Sequence, residues 1–356
     1  MSDLQISLLV IGALAVAGVY LFNGWQERQF RRHSEQAFAH EHEDVLLEGA
    51  PAGHAKPELR VEPKMPAAPA AQPAAARTSV RAPASAVADP IIDYVVEVSL
   101  GSAADGMDLH DELLALAAGW GKPVLVAGYD RDGNEWHAAG GGRQCSELRF
   151  ALQMSNRAGC VEQGQLTSFR DAVVKWAERN QGEAKHSDVA EAHALAVQLD
   201  RFCADVDIAI GINVVTRAGN PFSGTKIRAL AESAGLKLEP DGVFVAYGER
   251  GDARFTLDNH EPMPFVPEQM KTLFTSGITF LLDVPRVEAA MHAFDTMVET
   301  ARNFAVALDG TLVDDNRNPL SDAAIVTIRH RLKDILAKMD AAQIAAGGAR
   351  ALRLFS

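Results

Sequence analysis

Residues 207–215 have the sequence DIAIGINVV, and residues 278–284 have the sequence ITFLLDV. In both stretches large apolar side chains alternate with smaller or polar ones, a period typical of a half-buried β-strand. In the first stretch the isoleucines then face one side of a sheet, and the other side carries Ala209, Gly211 and Asn213. A sheet with one covered and one open face is typical of antiparallel strands, so both stretches favour an antiparallel sheet with helices on one face.

From Ile91 onward the pattern predicts further short strands and amphipathic helices, and hence an α+β fold. Strands are expected at residues 94–100, 124–127, 150–154, 243–247 and 254–257. Helices are expected at residues 113–118, 190–202, 227–234 and 287–308, and a last helix is expected to begin after Ser321.

The globular part also contains an internal repeat. Residues 123–136 (PVLVAGYDRDGNEW) parallel residues 242–255 (GVFVAYGERGDARF), and the helix at 190–202 resembles the helix at 287–308. The repeat predicts two related modules of strand–helix–strand–strand–helix–strand. We place a degenerate first module at residues 91–205 and a second at residues 206–342, with a tail at 343–356.

The first 90 residues have a different character. Residues 4–22 include the uncharged run ISLLVIGALAVAGVYLF, and Trp25, Arg28, Arg31 and Arg32 follow it. Such a run predicts one transmembrane anchor within residues 1–25, and the positive-inside rule places the N-terminus outside and the rest in the cytoplasm. Residues 26–90, first charged and then rich in proline and alanine, are expected to form a disordered linker.

Composition excludes several classes of function. The 356 residues carry a formal net charge of −13, which argues against binding to nucleic acid through a basic face. The three cysteines form no CxxC pair, and the eleven histidines form no metal-binding spacing. No catalytic residue, cofactor site or metal site is predicted.

One segment nearly matches a phosphate-binding loop. Residues 219–226 read GNPFSGTK, after a predicted strand and at the start of a predicted helix. A phosphate-binding loop needs a lysine followed by serine or threonine, whereas Thr225 here precedes Lys226. A turn that starts a helix is therefore favoured over a nucleotide site at Gly219–Lys226.

The open face of the predicted sheet is the strongest candidate for a binding site. Alternation adds Thr279 and Leu281 to it, and in the strand at 243–247 it adds Phe244 and Ala246. These side chains would form a shallow apolar trough in which a short amphipathic peptide helix can dock. A face covered by the other module, or by the chain itself, stays an alternative.

The second module resembles the ZipA family of bacterial cell-division proteins. The resemblance rests on INVV, AESAG, ARFTLDN, PFVPEQMKTLFTSGITFLLDVP, FAVALDG and TLVDDNRNPLS, between about Val206 and Asp340. It implies an RRM-like split β-α-β sheet, with helices on one face and the C-terminal peptide of FtsZ bound on the other. It also implies an N-terminal anchor in the inner membrane.

Matching the family strand by strand places its peptide contacts at six positions: Ala209, Gly211, Asp258, His260, Thr279 and Leu281. Phe244 joins them by the same match. At Ala209, Gly211, Asp258 and His260 the family has branched apolar side chains or methionine. The loss of several buried methylenes, at about 0.8 kcal/mol each, predicts weaker binding of the peptide.

These observations predict a membrane-anchored cell-division adaptor that binds the FtsZ tail and is not an enzyme. Many anchored domains on one polymer would then hold it by avidity. Two alternatives remain at this point. One is a membrane-tethered RRM-like RNA-binding protein, which requires stacking aromatic residues on the open face, and the other is a nucleotide-binding protein that uses Gly219–Lys226.

Overall fold

The computed structural model describes residues 88–131, 133–139, 143–217 and 219–356. These residues fall within one compact unit, Ala76–Ser356. None of the helices in these ranges is both long and apolar enough to cross a bilayer. The predicted anchor at residues 4–22 and nearly all of the linker at 26–90 lie outside the described residues.

Helices and antiparallel strands alternate along this unit. The helices are α1 (Gly106–Ala117), α2 (Gln163–Arg179), α3 (Val189–Val206), α4 (Gly224–Ser233), α5 (Ala290–Leu308), α6 (Asp322–Ala341) and α7 (Ala349–Leu354). The strands are β1 (Asp93–Asp105), β2 (Val124–Asp130), β3 (Glu135–Ala138), β4 (Gln144–Gln153), β5 (Ser155–Asn156), β6 (Gly159–Cys160), β7 (Gly182–His186), β8 (Ala209–Thr216), β9 (Phe222–Ser223), β10 (Lys237–Leu238), β11 (Phe244–Tyr247), β12 (Ala253–Asn259), β13 (Phe274–Thr275), β14 (Gly277–Asp283) and β15 (Gly310–Val313).

The first sheet has the order β3-β2-β4-β1-β7, with antiparallel neighbours throughout. Helices α1 and α2 pack on one of its faces, where Phe150 and Trp176 are buried with ring centroids 5.2 Å apart. The buried indole of Trp176 has a hydrogen-bond partner, because its Nε1 donates to Glu112 Oε2 at 2.8 Å. The opposite face of this sheet carries Glu97, Arg149 and Lys185, and α3 borders it through Ala192 and Leu195.

The second sheet has the order β10-β11-β12-β14-β8-β15. Helix α5 covers one face and contacts β8, β12, β14 and β15. Phe280 of β14 meets Phe304 of α5 edge to face, at 5.3 Å between centroids, and both rings are buried. The predicted α+β class with antiparallel sheets is therefore confirmed.

The two sheets share the arrangement of their central strands. In the first sheet β4-β1-β7 are neighbours, and in the second β14-β8-β15 are neighbours, with a long helix before the last strand in each case. In the first sheet the helix before the last strand is α2, which was not among the predicted helices. The predicted counterpart of 287–308, the helix at 190–202, is part of α3 and instead connects β7 to β8. The sheets also differ at one edge, because β2 pairs with β4 whereas β12, not β11, pairs with β14.

The last residues of the chain pack against the start of the first sheet. Residues 343–356, which were expected to be a tail, contain α7, and Leu354 and Phe355 are fully buried. Arg353 forms an ion pair with Asp93 of β1, and its Nη1 donates to Asp93 Oδ2 at 2.9 Å. The carboxylate of Asp93 has no exposed surface, so this pair ties the C-terminus to the first sheet.

Candidate functional site

The open face of the second sheet follows from the pairing of its central strands. Residues directly opposite each other in antiparallel strands have their side chains on the same face. One row therefore contains Gly211, Leu281 and Thr256, and the next contains Asn213, Thr279 and Asp258. Ala209 lies opposite Asp283 at the end of the same face, where its side chain is exposed.

The structure brings six of the eight predicted site residues together on this face: Ala209, Gly211, Asp258, His260, Thr279 and Leu281. His260 follows the end of β12, and its ring reaches Thr279 of β14. Five of the six are partly exposed and Ala209 is exposed, which means that a partner can reach them.

The other two predicted residues, Phe244 and Ala246, lie on the opposite, helix-facing side. Phe244 is fully buried, pairs with Leu257 in the core and packs against Phe265 at 5.4 Å between centroids. The expectation that they line the open face is therefore corrected. All four residues of FVAY are apolar or aromatic, so alternation cannot assign its faces, and burial of the phenyl ring in the core decides the register.

The open face holds a polar network in place of the expected apolar trough. Thr279 Oγ1 donates to Asn213 Oδ1 at 2.6 Å, and Asn213 Nδ2 donates to Asp315 Oδ1 at 3.0 Å. His260 Nδ1 lies 3.3 Å from Thr279 Oγ1. Because the single hydroxyl proton of Thr279 is used by Asn213, this oxygen accepts from His260 Nδ1–H. The network fixes these side chains in one arrangement on an otherwise open sheet.

The loop after β15 covers one end of the face. Asp314 holds the loop by accepting from the backbone N–H groups of Asn316 at 2.9 Å and Asn318 at 2.8 Å. The backbone N–H of Asn318 is the main cause that lowers the pKa of Asp314. The following residue, Asp315, extends over the sheet, and a Cβ on Gly211 would lie 2.9 Å from its Oδ1. Glycine at 211 thus leaves room for the Asp315 carboxylate.

Asp258 is the one strongly perturbed acid on this face. Burial raises its pKa to about 6, against the opposing effect of the hydrogen bond from Thr256 Oγ1 to Asp258 Oδ2 at 3.1 Å. A third and smaller cause, the negative charge of Asp241, raises it further. Among the described residues no cation pairs with Asp258, so the carboxylate stays costly to ionise.

Three residues of the face were missed: Val245, Thr256 and Asp315. Alternation had placed Asn213 on the open face, and for Thr256 the available signal was a polar side chain within a predicted strand. Val245 is buried beside Thr256, and only the register of β11 places it there. For Asp315 no signal was available, because its contact depends on a loop folding back over the sheet.

The near match to a phosphate-binding loop does not form a phosphate site. The first N–H of α4, that of Gly224, donates to the carbonyl of Leu273 at 2.9 Å. A Cβ on Gly224 would lie 2.6 Å from the carbonyl oxygen of Met270, so the segment at 270–273 occupies the space where a phosphate would sit. Elsewhere in the described ranges, no three His, Cys, Asp or Glu side chains come together as a metal site.

Comparison with known proteins places the open face within a matched domain. Residues 208–331 match the family model described as ZipA, C-terminal FtsZ-binding domain. The chain is 32% identical over 127 residues to the cell division protein ZipA of Marinobacter nauticus, which is 35% of this chain and 38% of that protein. It is 29% identical over 133 residues to ZipA of Xanthomonas axonopodis pv. citri, 36% of this chain and 55% of that protein. ZipA of Pseudomonas aeruginosa is 29% identical over 135 residues, 37% of this chain and 47% of that protein.

The matches thus cover about half or less of each relative and about a third of this chain. The match to the family model, at residues 208–331, falls on the second sheet and its helices and does not extend over the first sheet. The resemblance indicated by the motifs is confirmed: residues 208–331 match the model of the ZipA C-terminal FtsZ-binding domain, and these relatives are ZipA proteins.

Proposed function

We propose that this chain is a cell-division adaptor that holds the C-terminal tail of FtsZ on the open face of the second sheet. The observation that carries the proposal is the position of this face, which lies entirely within the residues that match the FtsZ-binding domain. Thr279 and Leu281 are partly exposed on it and Ala209 is exposed, whereas Asn213, Thr256 and Val245 are buried. No other part of the described chain covers Leu281 or Ala209 completely. The adaptor acts by tethering and needs no catalytic group.

The fold of each sheet with its helices is, in this proposal, an RRM-like split β-α-β unit. The common order of the three central strands and the helix before the last strand support a duplication. The first unit then corresponds to residues 91–205 and the second to residues 206–342.

The adaptor reaches the division ring from the inner membrane. Residues 4–22 would anchor it with the N-terminus in the periplasm, and residues 26–90 would act as a flexible cytoplasmic tether. A flexible chain of this length separates its ends by roughly 45 Å, which lets the folded unit search for tails beneath the membrane. Fractionation of cells tests this part: deletion of residues 4–22 is expected to move the chain from the membrane to the soluble fraction.

Binding of one tail is expected to be weak. Leu281 is the main large apolar side chain available at the centre of the face, and its neighbours Gly211 and Thr256 add little apolar area. Burial of one leucine contributes about 1.5–3 kcal/mol, far less than a nanomolar complex requires. Attachment of a polymer through many anchored copies would compensate for this.

Calorimetric titration of the unit Ala76–Ser356 with a synthetic FtsZ tail peptide tests the proposal. Leu281→Ser is expected to raise the Kd by roughly 10-fold, which corresponds to about 1.4 kcal/mol of lost apolar burial. Val326→Ser is the matched control, because Val326 is 46% exposed on α6 and away from the open face. Absence of binding at high micromolar peptide, or equal losses in both variants, would contradict the proposal.

A further inference from the structure

The open face of the first sheet carries a second set of side chains with a distinct chemistry. Across its strands one row runs Glu183, Ser99, Glu147, Tyr129 and Trp136, and the adjacent row runs Lys185, Glu97, Arg149, Ala127 and Ala138. The large side chains of these rows are partly or fully exposed. Residues 91–205 lie outside the domain that matches known relatives, so this face has no assigned role.

Two aromatic rings and one cation form a rigid platform at one end of this face. The rings of Tyr129 and Trp136 lie 5.3 Å apart, and the guanidinium of Arg149 stacks over Trp136 at 4.1 Å from its centroid. Arg149 is held in place because its Nε donates to Glu97 Oε1 at 2.9 Å. The indole N–H of Trp136 has no acceptor among the described residues, whereas those of Trp120 and Trp176 do.

The carboxylates of Glu147 and Glu183 lie in the same row as the aromatic rings and form no ion pair within the described residues. With Glu97 they give the face three carboxylates against the two cations Arg149 and Lys185. The face is therefore complementary to a basic group. Aromatic rings beside carboxylates are a favourable site for a lysine or arginine side chain.

A cavity adjoins the other end of the face. It has a volume of about 310 Å³, and Val95, Glu97, Arg149 and Lys185 of the sheet line it together with Leu195 of α3. Leu195 is 54% exposed, which is unusual for a leucine and leaves apolar surface at the cavity wall. Arg149 belongs to both the cavity and the aromatic platform, so the two are continuous.

We propose that the open face of the first sheet is a second docking surface, which takes a short peptide with one apolar anchor and a basic side chain. The apolar anchor enters the cavity beside Leu195, and the basic side chain lies against Tyr129 and Glu147, while Glu183 adds negative charge farther along the same row. From β1 to β3 the face spans three strand spacings, about 14 Å, which a helix of about ten residues covers. The surplus of carboxylates favours such a peptide over single-stranded RNA, whose phosphates they would repel.

An amide NMR titration of the compact unit Ala76–Ser356 tests the docking surface. The probes are a ten-residue helical peptide of leucine, alanine and lysine and a matched peptide with glutamate in place of lysine. Of the three indole signals in this unit, only that of Trp136 is expected to shift with the lysine peptide. The glutamate peptide is expected to bind at least about 10-fold more weakly, because its charges meet Glu147 and Glu183.

Charge variants distinguish binding at this surface from nonspecific attraction of a basic peptide to an acidic protein. The double variant Glu147→Gln/Glu183→Gln is expected to raise the Kd of the lysine peptide by about 5-fold. The matched control Glu268→Gln/Glu299→Gln removes the same charge from exposed positions of the second module and is expected to change the Kd by less than about 2-fold. The carboxamide variants keep the side-chain shape, so they leave the fold intact.

Four results would overturn the proposal. The first is a Trp136 signal that stays in place when the lysine peptide is added. The second is an equal loss of binding in the two double charge variants. The third is a larger shift of Trp136 with oligouridine than with the lysine peptide, which would assign the face to RNA. The fourth is a Trp136 signal that depends on protein concentration without peptide, which would assign the face to a second copy of the chain.

Discussion

Replacement of Asp258 by asparagine is expected to stabilise the folded unit at neutral pH. Asp258 lies on the open face of the second sheet with one hydrogen bond, from Thr256, and without a cation among the described residues. Burial raises its pKa from 3.8 to about 6, so the folded state prefers the protonated carboxyl. Asparagine is neutral, has the same shape and can still accept the hydroxyl proton of Thr256.

The sign of the pH dependence follows from the raised pKa. Below about pH 4 the carboxyl is protonated in the folded and in the unfolded state, so none of the free energy of unfolding is lost to its ionisation. As the pH rises from about 4 to about 6, the unfolded chain releases the proton first, and stability is lost. A shift of about 2 pKa units corresponds to about 3 kcal/mol, and the loss is complete above pH 6.

Urea denaturation of the wild-type unit and of Asp258→Asn, from pH 4.5 to pH 8, measures this difference. The advantage of the variant in the free energy of unfolding is expected to grow up to about pH 6 and then to level off at up to about 3 kcal/mol. Glu268→Gln removes an exposed carboxylate and serves as the control with a difference near zero. A difference between wild type and Asp258→Asn that is independent of pH would refute the reasoning.

The remaining predictions concern packing. Arg353→Ala leaves the carboxylate of Asp93 buried and unpaired, so we expect a loss of about 3–5 kcal/mol in the free energy of unfolding. The control Arg228→Ala breaks an exposed ion pair and is expected to change the free energy of unfolding by less than about 0.5 kcal/mol. Equal effects of the two in urea denaturation would contradict the assigned role of the buried pair. Phe244→Ala removes a fully buried ring and is expected to lower stability by about 3–5 kcal/mol while it leaves tail-peptide affinity unchanged, because the ring faces the helices. If Phe244→Ala lowered the affinity for the tail peptide without lowering stability, the placement of Phe244 on the helix-facing side would be wrong.

The centre of the second sheet was predictable because its strands alternate cleanly. Ile210 and Ile212 reach the core, as do Phe280 and Leu282, so a shift by one residue would expose all four. Helix α6 was predictable from its cap, since Ser321 Oγ accepts from the backbone N–H of Ala324 at 3.2 Å. In both cases local pattern and tertiary packing favour the same arrangement.

Other features depend on contacts that local pattern does not encode. Helix α2 buries Leu166, Phe169, Val173 and Trp176 at helical spacing, but its many polar residues hid this stripe. The apolar run at 244–247 has no alternation, and its register depends on Phe265, a residue distant in sequence. The polar character of the open face of the second sheet depends on the loop that carries Asp315 over Gly211.

The most direct test of the account is a chemical-shift map of the unit Ala76–Ser356 with a synthetic FtsZ tail peptide. The account predicts that the largest amide shifts fall on β8 and β14, at Gly211, Thr279 and Leu281, while the amides of the first sheet stay in place. Largest shifts on the first sheet, or no shift on β8 and β14 at saturating peptide, would contradict the assignment of the tail to the second sheet.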